Sequence, residues 1–285
     1  MTAILDRRIT PFRDDLAAGH LRGQVKAPAF ADPQPMRVVT PAAALRREPR
    51  PDAALDTEAL AGELVQVYER FEGWAWGQLA GDGYVGYLPA DCLRPDQPAP
   101  THRVSALRTF VYPGPSIKLP PLAALSLNAG VAVVEHKDDF AVLADGGHVF
   151  LRHLAPPDRF EPDSVAVAER FLGVPYLWGG KTSLGLDCSG LTQLALAAAG
   201  IASPRDSDML EATLGTAVPF DDSLSGLRRG DLVFWKGHVG ILTDPDTLLH
   251  ANGYTMTVFS EPLRAARERI LAKSFGAITS IKRLA

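Results

Sequence analysis

The chain has two cysteines, and only one of them, Cys188, stands at the predicted start of a helix. It follows a glycine-containing loop, and apolar residues between positions 191 and 198 recur on one helical stripe. Unpaired backbone N–H groups and the helix dipole stabilise a thiolate at such a position. A cysteine with a lowered pKa is a nucleophile, so Cys188 is the candidate for covalent catalysis. The alternative is a buried, inert thiol.

Two histidines, His238 and His250, lie on predicted neighbouring strands joined by residues 243–247. If the hairpin is centred on Asp244, the two histidines are directly opposed, with Cβ atoms roughly 4.5–5.5 Å apart. A cysteine nucleophile needs a base, and the base needs a third group that fixes its tautomer. Cys188, His238 and His250 supply these three roles.

The same three side chains are also a possible set of zinc ligands. Zinc sites take four ligands, or three and a water, commonly in short local pairs. No second cysteine is near Cys188 in the sequence, and Cys92 falls in a different predicted unit. The spacing therefore favours nucleophilic catalysis, and no metal or organic cofactor is implied.

Proline divides the chain that must position these residues. Eighteen of the 23 prolines precede residue 163, and they cluster in three breaks that are natural boundaries. Strand–turn–strand alternation recurs in two stretches between the breaks, which indicates a tandem repeat of small β units. We predict an N-terminal arm at 1–35, β units at 36–98 and 99–158, and a catalytic domain at 159–285.

Helices precede a run of strands in the last segment, which indicates an α+β domain. Asp163 or Ser164 caps a first helix, and Gly200 ends the helix that Cys188 begins. In the arm, residues 12–25 predict one or two helical turns. The strands predicted in the last segment are 231–235, 238–243, 247–251, 255–259 and 278–282.

Composition excludes several classes of protein. With 46% apolar and 22% charged residues, global disorder is excluded. The net charge of −4 divides evenly between residues 1–160 and 161–285, so neither part suits nucleic acid or anionic lipid. No apolar stretch reaches the ~20 residues of a membrane span. The first eight residues include Asp6 and no apolar core of a secretory signal, so we expect a cytoplasmic protein with reduced thiols.

Three motifs occur in order: PYLWGGKTSLGLDCSGL at 175–191, GDLVFWKGHVGI at 230–241 and LHA at 249–251. They resemble the motifs of NlpC-type cell-wall peptidases, which are papain-like cysteine peptidases of bacterial murein. The resemblance implies that Cys188 is the nucleophile, His238 the base and His250 the orienting residue. It also implies that the Cys188 amide and the Tyr176 hydroxyl hold the oxyanion.

Both β units resemble bacterial SH3-like domains, the first through its Gly-Trp and GYVGYL elements. The implied fold is an α+β, papain-like catalytic domain preceded by two small SH3-like β-barrels. This architecture resembles the murein-peptide dipeptidyl-peptidases of the recycling pathway. Those enzymes cleave after γ-D-glutamate when L-alanine carries a free amine.

The resemblance further implies an amine pocket at the element Arg205-Asp206-Ser207. Asp206 would pair with the substrate ammonium, and Ser207 would bond nearby. The alternative is a polar turn.

The residues around the nucleophile are the other implied contacts with the dipeptide. Asp187 and Ser189 flank the nucleophile and would bind the substrate, although Asp187 fits a helix cap equally well. Trp178 and Tyr176 would line the side of the pocket. The alternative is that they are ordinary core aromatics.

In this group a tyrosine and a glutamate of the first SH3-like domain close the cleft. Glu63 and either Tyr84 or Tyr87 are the candidates here. Strand alternation places the two tyrosines on opposite faces. Tyr84 is preferred because it borders the turn, and the alternative is a surface tyrosine.

The sequence thus predicts a monomeric cysteine peptidase that cleaves the γ-D-glutamyl bond of murein stem peptides, with no nucleic-acid or membrane partner. One rival is an exported endopeptidase that acts on intact wall. The other is a non-catalytic module that binds wall peptides through its SH3-like domains. The presence of Cys188 argues against the binding module, and the missing export signal argues against both.

Overall fold

The computed structural model describes residues 5–284. The chain comprises two compact units, with the boundary in the sequence between Pro157 and Asp158. The first four residues of the predicted arm, and Ala285 at the end of the predicted catalytic domain, lie outside the described residues. The boundary falls within two residues of the predicted start of the catalytic domain. Among residues 5–284, no helix is both long and apolar enough to cross a membrane.

The first unit consists of short strands, as its many prolines require. Three-residue 3-10 helices occur at Gly19–Leu21, Ala90–Cys92 and Leu151–His153. The strands are β1 (Leu16–Ala18), β2 (Ala29–Ala31), β3 (Gln34–Val38), β4 (Ala42–Arg46), β5 (Leu55–Leu60), β6 (Leu64–Phe71), β7 (Trp74–Leu79), β8 (Val85–Pro89), β9 (Leu93–Arg94), β10 (His102–Val104), β11 (Arg108–Tyr112), β12 (Ala123–Ser126), β13 (Gly130–Val131), β14 (Val133–Lys137), β15 (Phe140–Leu143), β16 (His148–Phe150) and β17 (Leu154–Ala155).

Two separate groups of sheets follow the arm. Strands β3–β9 form one seven-stranded sheet in the order β5-β4-β8-β7-β6-β3-β9. Strands β10–β17 form a five-stranded sheet, β12-β11-β16-β15-β14, and a three-stranded sheet, β13-β10-β17. The domain of β3–β9 is SH3-like, as expected. The tandem repeat and the exact domain limits remain predictions.

The arm is less helical than predicted. Among residues 5–35, the only helix is the three-residue 3-10 helix Gly19–Leu21, while β1 and β2 pair in parallel. Leu16 and Leu21 of the arm are buried against Tyr68 and Trp76 of the seven-stranded sheet. Burial of apolar side chains on the neighbouring sheet therefore decides the path of this segment.

The second unit contains every helix of the α type that the structure describes. Its elements are α1 (Ser164–Glu169), β18 (Lys181–Thr182), β19 (Gly185–Leu186), α2 (Cys188–Ala198), α3 (Ser207–Thr213), β20 (Thr216–Ala217), β21 (Leu232–Trp235), β22 (His238–Asp244), β23 (Thr247–Asn252), β24 (Thr257–Pro262), α4 (Leu263–Lys273) and β25 (Ile278–Arg283). Each predicted strand is present, and its ends differ from the predicted ends by at most three residues. Helices α3 and α4 were not predicted from the sequence.

A six-stranded sheet in the order β20-β25-β21-β22-β23-β24 forms the centre of this unit. Helix α2 packs against β22 and β23, so the start of the cysteine's helix faces the hairpin that carries both histidines. Asp163 caps α1 by accepting hydrogen bonds from the amides of Val165 and Ala166, which confirms one of the two predicted caps.

The register of the histidine hairpin differs by two residues from the one predicted. Leu242 pairs with Leu248, whereas direct opposition of His238 and His250 requires Leu242 to pair with Asp246. The turn is only two residues long and a bulge between Leu242 and Asp244 precedes it, which moves the register. A two-residue shift returns every side chain to the same face, so the histidines still meet, diagonally rather than directly.

Candidate active site

The nucleophile helix begins at Cys188 and is capped by the residue before it. Asp187 Oδ1 accepts a hydrogen bond of 2.7 Å from the Gly190 amide. The helix start is packed closely against the glycine loop, since a Cβ on Gly190 would lie 2.3 Å from the Gly180 carbonyl oxygen. The loop before the helix and the first turn of the helix therefore need glycine to approach each other.

The side chains of Asp187 and Ser189 are buried and hydrogen-bonded within the protein. Arg205, whose side chain is 1% exposed, donates to Asp187 Oδ1 at 2.9 Å, to Asp187 Oδ2 at 2.8 Å and to Ser189 Oγ at 2.7 Å. The Gly179 amide also donates to Asp187 Oδ2, at 2.9 Å. Asp187 therefore caps the nucleophile helix, and Arg205 joins it to Ser189. The contact of Asp187 and Ser189 with the dipeptide remains a prediction.

His238 and His250 form a buried hydrogen-bonded pair. His238 Nε2 lies 2.8 Å from His250 Nδ1, and the two residues are 3% and 1% exposed. These two nitrogens face each other, which is the arrangement of a base and its orienting residue rather than of two metal ligands. Within the part of the chain that the structure describes, no group of three or more metal-ligating side chains is present.

Tyr176 lies at the same site. It is half-buried, and it lines a cavity of about 310 Å³ together with both histidines. Burial raises the pKa of the Tyr176 hydroxyl, and the ionisable thiol of Cys188 and the carboxylate of Asp187 raise it further. The hydroxyl therefore keeps its proton and is able to donate a hydrogen bond. Its role toward an oxyanion remains a prediction.

Several residues of this cavity were missed by sequence reasoning. The Phe275 ring stacks on the His238 ring, with centroids 5.0 Å apart and an interplanar angle of 4°. Arg269 stacks on Tyr254, with its guanidinium carbon 4.3 Å from the ring centroid. Lys273 lines the same cavity. These residues come from α4 and from the turns beside it, and no local motif signals them.

A further residue missed is Glu261, whose Oε1 lies 2.8 Å from His250 Nε2. It stands two residues beyond Phe259, which pairs directly with His250 across β23 and β24. Alternation along β24 was a usable signal, because residues 259 and 261 share a face with His250. The strand was predicted to end at 259, so the carboxylate was not considered.

The predicted amine-binding residues lie at the start of α3. Asp206 is half-buried and occupies the N-cap position, but its side chain makes no capping hydrogen bond. Ser207 is 9% exposed. The preceding residue, Arg205, joins this segment to the cap of the nucleophile helix through Asp187. The structure thus ties the segment of Asp206 to the start of α2.

Trp178 and the residues of the first unit have different environments. Trp178 is 65% exposed, so it is not a core aromatic. Tyr84 is 6% exposed and packs in the core of the seven-stranded sheet. Tyr84 thus packs in its own sheet, and its role toward the cleft remains a prediction. Tyr87 accepts a hydrogen bond from Arg13 of the arm at 3.1 Å. Glu63 is half-buried, and its role remains a prediction.

Comparison with known families decides the class of this site. The profile of the NlpC/P60 family matches residues 173–272, which include the cysteine and both histidines. The chain carries an NlpC/P60 domain. Residues 45–93 match the SH3 domain of bacterial dipeptidyl-peptidases. The protein is therefore a cysteine peptidase with an SH3-like domain before its NlpC/P60 domain, and peptidoglycan is its class of substrate.

Individual relatives agree with this class. A γ-D-glutamyl-L-lysine dipeptidyl-peptidase of Bacillus subtilis is 28% identical over 223 residues, which are 70% of this chain and 73% of that protein. A probable endopeptidase of Mycobacterium tuberculosis is 38% identical over 113 residues, but these are only 28% of its length. The crystal structure of an NlpC/P60 family protein from Bacillus cereus covers 87% of this chain and 99% of its own, with a TM-score of 0.72 and 22% identity, and shows the same fold.

Burial sets the protonation states within the NlpC/P60 domain. It raises the pKa of the Cys188 thiol to about 12, with a smaller contribution from the charge of Asp187. It lowers the pKa of His238 to about 3, and the neighbouring His250 imidazole and Arg269 guanidinium act in the same direction. Desolvation thus acts against the lowered thiol pKa that the helix start predicts. Thiol and imidazole are both neutral, so the proton moves as the sulfur attacks.

The buried histidines of the NlpC/P60 domain predict a loss of stability in acid. In the unfolded chain His238 takes up a proton near its ordinary pKa of 6.5, whereas in the folded chain it stays neutral down to a pKa of about 3. The unfolded state binds more protons between these values, so the free energy of unfolding falls as the pH is lowered. From pH 7 to pH 5 we expect His238 alone to contribute a loss of about 2 kcal/mol.

Urea unfolding of the wild type and of His238→Gln at both pH values measures this effect. The wild type is expected to lose about 2 kcal/mol more than the variant. The same loss in both proteins would show that His238 does not resist protonation.

Proposed function

We propose that this protein is a dipeptidyl-peptidase of murein peptides, which hydrolyses the bond between γ-D-glutamate and the following L-diamino acid and requires a free amine on the N-terminal L-alanine. The observation that carries the proposal is the match of residues 45–93 to the SH3 domain of bacterial dipeptidyl-peptidases, ahead of an NlpC/P60 domain. The Bacillus subtilis relative with that activity in its name supports it over 70% of this chain.

The geometry supports a two-step reaction at the γ-D-glutamyl carbonyl. The Cys188 proton passes to the ring nitrogen of His238 that does not bind His250, which is Nδ1, and the sulfur bonds to the carbonyl carbon. The C–N bond then breaks, and His238 returns the proton to the leaving amine. Water, deprotonated by His238, attacks the thioester carbon and breaks the C–S bond, which regenerates the thiol and releases L-Ala-γ-D-Glu.

We further propose that Asp206 pairs with the ammonium group of the substrate. An N-acetylated substrate offers no ammonium group to this half-buried carboxylate, and loss of such an ion pair costs several kcal/mol. Since 1.36 kcal/mol is a factor of ten in rate, we expect a loss of about a hundredfold or more. A requirement for a free amine suits soluble peptides released from the wall, so we propose a recycling role in the cytoplasm.

The amine requirement is tested by comparing L-Ala-γ-D-Glu-L-diamino-acid tripeptides with their N-acetyl forms. We use both lysine and diaminopimelate as the diamino acid. The wild type is expected to prefer the free amine by about a hundredfold or more in kcat/KM. Asp206→Ala should lose most of this preference, whereas Asp208→Ala, on the exposed side of the same short helix, should keep it. Equal cleavage of free and acetylated peptides by the wild type would refute the amine requirement.

An exported endopeptidase that acts on intact peptidoglycan is the second candidate. The 38% identity to the mycobacterial probable endopeptidase favours it, although the match is confined to 113 residues. In intact murein, L-alanine is amide-linked through its nitrogen, so such an enzyme cannot require a free amine. Equal cleavage of the two peptides would therefore support this candidate.

A further inference from the structure

A carboxylate continues the row of hydrogen bonds behind His250. Glu261 Oε1 lies 2.8 Å from His250 Nε2, on the opposite side of the imidazole from His238. Arg269 of α4 hydrogen-bonds to the same carboxylate oxygen. The row therefore runs from His238 through His250 to Glu261, and α4 holds its far end.

The chemistry of these groups fixes the positions of the protons. An ionised carboxylate only accepts hydrogen bonds, so His250 Nε2 must carry the hydrogen. A neutral imidazole has one N–H, so His250 Nδ1 is the acceptor in its 2.8 Å contact with His238. His238 Nε2 then donates that hydrogen bond. This leaves His238 Nδ1 without a proton, which is the state required of a base toward Cys188.

The row is shielded from water. The side chains of His250, Glu261 and Arg269 are 0%, 12% and 16% exposed. Although burial acts to raise it, the pKa of Glu261 lies below its usual value because of the hydrogen bond from His250 and the charge of Arg269. Glu261 is thus a permanent acceptor at neutral pH, and solvent does not compete for His250.

We propose that Glu261 is a positioning residue for hydrolysis, because its carboxylate selects the tautomers of His250 and His238 and so leaves His238 Nδ1 free to act as the base. The inference rests on the catalytic roles proposed above for the two histidines. It does not depend on which peptide is cleaved.

The test is Glu261→Gln in the full chain. A glutamine amide presents either its oxygen or its NH₂ group to His250, so it no longer excludes the opposite tautomer. We expect kcat to fall about tenfold or more while KM stays within about twofold, since the change acts on the chemical step. Long-range ¹H–¹⁵N NMR of the imidazoles should show both histidines protonated at Nε2 in the wild type and a mixture of tautomers in the variant.

Two further variants separate positioning from simple support. Glu268→Gln makes the same chemical change at an exposed site on α4 and should leave kcat and the tautomers unchanged. Arg269→Gln removes the ion pair but keeps the acceptor, so the wild-type tautomers should persist.

Three results would overturn the inference: a wild-type His250 protonated at Nδ1, an unchanged kcat in Glu261→Gln, or an equal loss in Glu268→Gln. The NMR spectrum of the wild type shows the tautomer of His250 and so tests the inference even if Glu261→Gln does not fold. If the enzyme cleaves free and acetylated peptides equally, but the tautomers and the Glu261→Gln kinetics are as expected, the proposed substrate is refuted. The role inferred for Glu261 is then still supported.

Discussion

Replacing Cys188 with alanine is expected to abolish hydrolysis of murein peptides, with activity below about one ten-thousandth of the wild type. The sulfur forms the covalent bond to the substrate carbonyl, and a methyl group provides no nucleophile. The side chain is small and 8% exposed at the start of α2, so its removal should leave the fold intact. The rate of release of the diamino acid measures the loss, and circular dichroism checks the fold.

Cys92→Ala is the matched control, because it makes the same chemical change at the other cysteine. Cys92 is half-buried at the end of a 3-10 helix in the first unit, and burial raises the pKa of its thiol. We expect its activity to remain within about twofold of the wild type. Equal losses in the two variants, or none in either, would refute the assignment of the nucleophile.

His238→Ala is expected to lower kcat by about a thousandfold, because general-base catalysis typically contributes 10²–10⁴-fold. Here the neutral thiol has no other route to a thiolate, since burial raises its pKa to about 12. His250→Ala should lower kcat by about ten- to a hundredfold, because the base remains but its ring is no longer held through Nε2. In both variants KM should change by only a few-fold.

Steady-state kinetics with a free-amine tripeptide measure these effects. The controls are thermal unfolding of each variant, since both histidines are buried, and His153→Ala. His153 bonds to Thr109 in the first unit and should not affect kcat. An unchanged kcat in His250→Ala would show that His250 has only a structural role in its strand.

Local sequence signals located the reacting residues well. A capped helix start identified Cys188, and two alternating strands around a short turn put both histidines on one face. The register was wrong by two residues, because a bulge next to a two-residue turn is not visible in the alternation. The chemistry survived this error, since a shift of two preserves the face on which a side chain lies.

The surroundings of a side chain were harder to predict than its position in the fold. The sequence suggested a substrate contact for Asp187, but Arg205, eighteen residues later, occupies both of its carboxylate oxygens. It suggested that Tyr84 closes the cleft, and the structure places this side chain in the core of its sheet. It also suggested an activated thiolate at Cys188, where desolvation acts against the helix dipole.

The sequence by itself determined the division into a β-rich first part and an α+β second part, the nucleophile with its two histidines, and the class of enzyme. These features depend on caps, periodicity and motifs, which are encoded within a few residues of one another. Only the tertiary structure decided the contacts of Glu261, Arg269 and Phe275 around the histidines, and the protonation states of the site. Those depend on burial and on the packing of α4 and β24 against the hairpin, and free energies of desolvation cannot be read from neighbours in sequence.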